Sequence, residues 1–417
     1  MLIHNRFTFL IFTIFFFIGC KHKQDTPKEF IIPPSVKKRD ISSTRSLFYN
    51  SVYVGPTNLR SGDFVSDDNG KSWVQKPMRP DFLSGLPFGY RRGVVTSVFD
   101  NKTDKLIAIV NAMDVPDLDP NIFEPPIAQE TYYLRYRVSE GGKDKWLFDE
   151  PIIHEGDFTP KNPLPDVFIG SNSIYVGDVG SIPIVTKEGK ILVPVQTTPL
   201  GPDGKLWNPA GGHTYTDVVV LIGRWINDSK IRWEMSERIK GDPSKSTRGM
   251  LEPTLLELEN GKLLMVMRGS NDKDHHLPSY KWSSVSTNGG KTWSDPEPFT
   301  FEDGTPFFSP SSMSTLFKHS SGRCYWIGNM TDENCQGNLP RWPLVMAEVN
   351  TESYKLIKES LLTVDSYQEE DKSRGRLDIS HFSLIEDRAT NEIILSYPRS
   401  YHAYQSKEFI TTRIAVE

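Results

Sequence analysis

Residues 66–73 read SDDNGKSW, and residues 286–293 read STNGGKTW. Both fit one template of Ser, any residue, Asp or Asn, any residue, Gly, two further residues and Trp, although they stand 220 positions apart. The residue types describe a turn. The side chain of Asp68 or Asn288 accepts hydrogen bonds from backbone N–H groups ahead of it and locks a tight corner. Gly70 or Gly290 supplies a positive φ at the next corner. Ser66 or Ser286 caps the turn with its hydroxyl, and Trp73 or Trp293 packs its ring between neighbouring sheets. No nucleophile stands beside a base in the octapeptide, so it reads as frame.

Weaker copies widen the pattern. SEGGKDKW at 139–146 keeps Ser139, Gly142 and Trp146, and NDSKIRW at 227–233 keeps a turn and Trp233. The tryptophans at 73, 146, 233 and 293 mark units of a few tens of residues. Between them run GVVTSVF, KLIAIVNAM, YYLRYRVS, DVVVLIGRW, KLLMVMRGS and NEIILSYP, rich in β-branched and aromatic residues and bounded by turn formers. Hairpin signals stand at Glu188-Gly189, Asn260-Gly261 and Ser321-Gly322. No stretch keeps a helical period over three turns. Units of about 60 residues suit four-stranded blades, and six of them use up residues 45–417. The predicted fold is an all-β, six-bladed β-propeller of four-stranded antiparallel blades.

Bulk composition agrees. The 417 residues include nine Trp, 15 Tyr and 23 Phe, enough for a sizeable core, and 30 Gly and 30 Pro, which suit many turns. A net charge of −5 leaves no basic footprint, so nucleic acid is not an expected partner.

Residues 1–19 read as an export signal. Arg6 precedes the apolar run FTFLIFTIFFFIG at 7–19, too short to span a bilayer comfortably. Gly19 before Cys20 resembles a bacterial lipoprotein cleavage site, with Phe17 where such sites prefer Leu. The resemblance implies a lipid on Cys20, a flexible tether over 20–44, and a periplasmic, outer-membrane or cell-surface protein anchored without a spanning segment. A monomer is expected. Cys324 and Cys335 remain, either as a disulfide closing a short loop or as two thiols.

The octapeptides are similar to the Asp boxes of the sialidase (neuraminidase) superfamily, which sit on outer turns of propeller blades away from the active site. GMLEPTLLELENGKLLMVMRGS at 249–270 also resembles a sialidase segment, in which a Glu-Pro opens one strand and an Arg closes the next. Here that pair is Glu252 and Arg268, which a hairpin would bring to one rim. Sialidases hold a sugar carboxylate with three arginines, because the guanidinium fork matches it bidentately and stays charged. The resemblance places the first at Arg91 in FGYRRGVV, with Arg92 as fallback, the second at Arg268 and the third at Arg341 in NLPRWPLVMAEV. It places the general acid on the loop of Asp114, Asp117 and Asp119, with Asp117 preferred on spacing. That acid must be partly desolvated to hold its proton. The implied substrate is a glycan ending in an acidic sugar, cleaved without metal or other cofactor.

Two departures bear on the chemistry. Met113 stands where many relatives carry an Arg. Sialidases attack with a Tyr activated by a Glu, but the corresponding segment, DISHFSLIED at 378–387, carries His381-Phe382 there. Tyr397, with Tyr401 and Tyr404, is the alternative nucleophile. His381, with His213 and His402, raises a second reading: a hydrolase or lyase of uronate-containing polysaccharide that uses His or Tyr as acid and base. A glycan-binding propeller without turnover is a third. Asp274-His275-His276 reads as a solvated loop with poor chelating geometry.

Overall fold

In the computed structural model, the described residues are 53–54, 59–61, 64–66, 74–75, 89–119, 127–140, 146–387, 389–403 and 406–416. The predicted export signal, Cys20, the tether and Tyr404 lie outside them, as do Asp68, Gly70 and Trp73 of the first octapeptide.

The chain is a propeller of antiparallel sheets laid down in sequence order. The first sheet is β1 (Tyr53–Val54), β2 (Leu59–Ser61), β3 (Phe64–Ser66) and β4 (Val74–Gln75). The second is β5 (Tyr90–Asp100), β6 (Lys105–Asp114), β7 (Tyr133–Glu140) and β8 (Phe148–Pro151). The third holds β9 (Ile174–Tyr175), β10 (Ile184–Val185), β11 (Ile191–Thr197), β12 (Asp217–Trp225) and β13 (Ile231–Met235). The fourth is β14 (Leu251–Glu257), β15 (Leu263–Arg268), β16 (Lys281–Ser286) and β17 (Glu297–Pro298). The fifth is β18 (Thr315–Lys318), β19 (Cys324–Asn329), β20 (Leu344–Val349) and β21 (Leu362–Asp365). The last holds β22 (Leu377–Asp378), β23 (Ser383–Glu386), β24 (Ile393–Tyr401) and β25 (Ser406–Ile414).

Against the expectation of six four-stranded blades, five stand out. Five sheets, from β5 onward, are built as blades, whereas the N-terminal sheet has strands of only two or three residues. So few residues hold few ladder bonds.

The core lies between blades. Ile107, Ile109, Tyr136 and Val138 of the second sheet pack against Val193, Val219, Leu221 and Trp233 of the third. Equivalent layers join the third sheet to the fourth, the fourth to the fifth and the fifth to the last. This explains why β11 (ILVPVQT) and β15 (LLMVMR) are buried along their whole length instead of alternating. Each Leu, Ile or Val so buried contributes about 1.5–3 kcal/mol before entropy.

Hairpin turns fall where Gly takes a positive φ: Gly189 between β10 and β11, Gly261 between β14 and β15, and Gly322 between β18 and β19. The octapeptide at 286–293 lies at the turn from β16 to β17, the third and fourth strands of the fourth sheet, and the copy at 227–233 lies at the turn from β12 into β13, the last two strands of the third. At 286–293 the predicted geometry is present. Asn288 Oδ1 accepts from Thr292 N at 3.0 Å and from Ser286 Oγ at 3.0 Å, and Gly290 N donates to Ser286 Oγ at 3.0 Å. Gly289 and Gly290 have φ of 72° and 87°. Trp293 donates to Gly290 O at 3.1 Å and packs on the layer between the third and fourth sheets. The only α-helix among the described residues is α1, Ile127–Thr131. Cys324 and Cys335 are separate buried thiols.

Candidate active site

Antiparallel order sets the direction of each strand end. The first strand of a blade starts, and the second ends, on the face opposite the octapeptide turns. That face carries Arg91 at the start of β5, Arg268 at the end of β15 and Arg341 ahead of β20. Two inner strands are interrupted there. β9 and β10 lie end to end along β11, and β22 and β23 lie end to end along β24. The gaps carry Asp178 and His381. A third inner strand, β14, slips register between Leu251 and Thr254, and the irregularity carries Glu252-Pro253. Glu252 and His381 are non-glycine residues at positive φ, 42° and 59°. Such conformations cost about 1–3 kcal/mol each and gather at functional sites.

Glu252 and Arg268 meet as the sequence predicted: Leu251 is paired with Arg268, and Arg268 Nη1 donates to Glu252 Oε1. Both are buried. Glu252 N donates to Gln196 Oε1 at 2.9 Å, while Glu252 Oε2 is buried with no hydrogen-bond partner among the described residues. The close fit needs Gly177, where a Cβ would stand 2.1 Å from Gln196 Oε1. Arg268 also donates from Nε to Ser311 Oγ at 2.7 Å and from Nη2 to Asn338 Oδ1 at 3.1 Å.

Arg341 reaches the same serine. Its Nη2 donates to Ser311 O at 3.3 Å and its Nη1 to Ser380 Oγ at 3.5 Å. Two predicted carboxylate-binding arginines therefore rest on one residue. A further one, Arg248, was not predicted. It is buried, donates to Thr214 Oγ1 at 2.6 Å, and is held down to about 10 by burial and then by the charge of Arg268. The signal was adjacent, since Arg248 directly precedes the GMLEP stretch. Arg91 stands at the head of β5 and donates to Tyr132 Oη at 3.4 Å. Tyr132 packs against Tyr175 at 6.1 Å, and Tyr175 interacts electrostatically with Arg248. Arg92 is a strut, bonded to Met113 O at 2.9 Å and paired with Asp114.

His381 and Asp178 form a pair, Nε2 to Oδ2 at 3.3 Å, with His381 Nδ1 2.9 Å from Ser380 Oγ. They come from the last and third sheets, which are not consecutive, so the contact reaches across the centre of the propeller. Burial alone would raise the Asp178 carboxyl. The neighbouring His381, as charge and donor, outweighs it with help from Val179 N–H, so Asp178 stays below the ordinary range. No sequence signal beyond the GDVG glycines marked Asp178.

Other predicted residues lie elsewhere. Tyr397 is corrected from nucleophile to core: it is fully buried between the last two blades, and its hydroxyl meets Thr412 Oγ1 at 3.2 Å. Tyr401 donates to Asp371 at 2.8 Å. Phe382 is buried in the same layer. Asp117 is exposed on the loop after β6 and makes no hydrogen bond to the arginine cluster among the described residues. His213 and His402 are exposed, as are Asp274, His275 and His276. Among the described residues no group of three or more His, Cys, Asp or Glu is arranged to hold a metal ion.

A model of the BNR repeat-like domain matches residues 171–403. No curated protein matches the chain. Among solved structures, a protein of unknown function from Dyadobacter fermentans is similar at TM-score 0.55 and 14% identity, over 88% of this chain and 86% of its own. The Hadza microbial sialidase Hz136 is similar at TM-score 0.55 and 13% identity, over 87% of this chain and 61% of its own. The NanB sialidase from Streptococcus pneumoniae is similar at TM-score 0.53 and 13% identity, over 88% of this chain and 65% of its own. The chain thus spans less than two thirds of either sialidase. At such identities the likeness concerns the fold.

Proposed function

We propose, on the premise that this chain belongs to the BNR repeat-like domain family, that it cleaves glycans carrying a terminal acidic sugar, with sialic acid as the default. The supporting observation is the convergence of Arg268 and Arg341 on Ser311, beside Glu252 and Arg248. Buried guanidinium groups are costly to assemble unless an anion completes them, and a sugar carboxylate matches their fork. In this reading Arg268 and Arg341 clamp the carboxylate, with Arg248 and Arg91 flanking them. The N-terminal sheet completes six blades.

Proton transfer is assigned to His381, oriented by Asp178. Asp117 is exposed, so it gains the desolvation a general acid needs only beneath a bound glycan. No tyrosine hydroxyl bonds Glu252 among the described residues. That observation favours a second reading, in which His381 removes a proton from a uronate ring. Residues 1–19 and Cys20 are proposed to export the protein and anchor it by lipid.

A fluorogenic sialoside and a uronate-containing oligosaccharide, each incubated with the protein, test the assignment. Free sialic acid supports the first reading, and a new unsaturated-uronate absorbance supports the second. Either activity should vanish in Arg268→Ala and fall steeply in His381→Gln. Glycan binding without turnover of any acidic glycoside would overturn the enzymatic reading.

A further inference from the structure

Lys281, the first residue of β16, is fully buried and opposite Arg268 in the β15–β16 register. Its Nζ donates to Pro310 O at 3.1 Å and to Ser312 O, both main-chain carbonyls, and forms no salt bridge with a carboxylate among the described residues. Those two carbonyls flank Ser311. The same short loop is held by Ser311 N donating to Gly337 O at 2.8 Å and by Ser312 Oγ donating to Asn329 Oδ1 at 2.9 Å. Ser311 in turn receives Arg268 on its hydroxyl and Arg341 on its carbonyl.

We propose that Lys281 is a positioning residue for the carboxylate of the acidic sugar: it grips the 310–312 loop on both sides, so that Ser311 sets Arg268 and Arg341 side by side. The inference rests on the carboxylate-binding reading above. A third cation buried behind two arginines is unfavourable in the empty site and becomes favourable when an anion arrives. The charged and titratable groups facing it are Arg268, Glu252, Cys335 and Arg341. Burial first, then the charge of Arg268, brings the Lys281 ammonium down to about 7. A bound carboxylate offsets the arginine charges and raises it again. Anion binding is therefore coupled to proton uptake by Lys281, and affinity falls as pH rises above about 7.

The test is calorimetric binding of N-acetylneuraminate and of D-glucuronate at pH 6.5 and 8.5. It is made in the His381→Gln background, so that the imidazole contributes no proton, and in two buffers of different ionisation enthalpy. The expected result is affinity about fivefold or more weaker at pH 8.5, with proton uptake near neutrality. Lys281→Met should bind about tenfold more weakly at pH 6.5 and lose the pH dependence. Equal affinity and equal pH dependence in Lys281→Met would overturn the role. Should Lys281→Met not fold, binding to the His381→Gln protein without proton uptake would overturn it as well. If neither sugar binds the wild-type protein, the carboxylate-binding reading falls and takes this inference with it.

Discussion

Glu252 concentrates the physical tension of the site. It is buried, takes a positive φ, and shares one carboxylate oxygen with Arg268 while the other has no hydrogen-bond partner among the described residues. Removing one member of such a pair leaves an uncompensated charge. Arg268→Ala is expected to lose about 3–5 kcal/mol of stability, read from urea unfolding, and Arg268→Ala with Glu252→Ala to recover part of that loss. A single-variant loss near zero would show that the pair is solvated. Tyr397 makes the opposite test. Tyr397→Phe removes buried hydroxyl interactions with Thr412 and Asp365 only, so it should cost about 1–2 kcal/mol and leave turnover of an acidic glycoside intact. Abolished turnover in a folded Tyr397→Phe protein would restore the phenol as nucleophile. Glu252 and Arg268 were legible because one hairpin brings both to the same rim. Asp178 was not legible, since its partner lies some two hundred positions away and only closure of the propeller joins them.

At the scale of elements, the turns carried the fold and the interruptions carried the site. The octapeptide at 286–293 marks the turn from β16 to β17, and Asn288 holds that turn with several hydrogen bonds. Asn288→Ala should cost about 1–2 kcal/mol in thermal or urea unfolding without changing kcat or KM, because that turn lies on the face away from the arginines. Regular strands announce themselves by composition; an inner strand that breaks between β9 and β10 does not. Its lesson is that periodicity finds ladders and misses deliberate gaps in them. The last sheet adds a pH response. Burial would raise Asp387, but hydrogen bonds from Arg413 and from the Ala389 N–H bring it below the ordinary range. Asp371 is likewise lowered against burial, by the Gln368 N–H and by Arg399 and Tyr401. Carboxyls depressed in the folded state contribute stability that is complete above their unfolded value near 4 and is lost as pH falls through the folded value. Urea midpoints should therefore drop below about pH 4, and Asp387→Asn should flatten that acid slope while lowering stability at neutral pH.

Across the whole molecule, the site belongs to no single blade. Arg91 comes from the second sheet, Asp178 from the third, Glu252 and Arg268 from the fourth, Arg341 from the fifth and His381 from the last. Composition and turn spacing were sufficient for an all-β propeller, because each unit repeats the same local chemistry. They overstated the N-terminal unit, since a repeat spacing counts turns and not the length of the strands between them. A ligand that touches several blades must stabilise their mutual closure, and the gain follows mass action. At a free concentration one hundred times the dissociation constant it amounts to about 2.7 kcal/mol, or a shift of about 3 °C for a domain this large. The acidic sugar should raise the midpoint of thermal unfolding by that order in one transition, with the blades melting together. Its methyl ester, which keeps the ring and hydroxyls but has no charge, should leave the midpoint unmoved. In Arg341→Ala the acid should lose its advantage over the ester, because the clamp is then open on the side of the fifth blade. An equal shift from acid and ester would place recognition in the hydroxyls and remove the arginines from it.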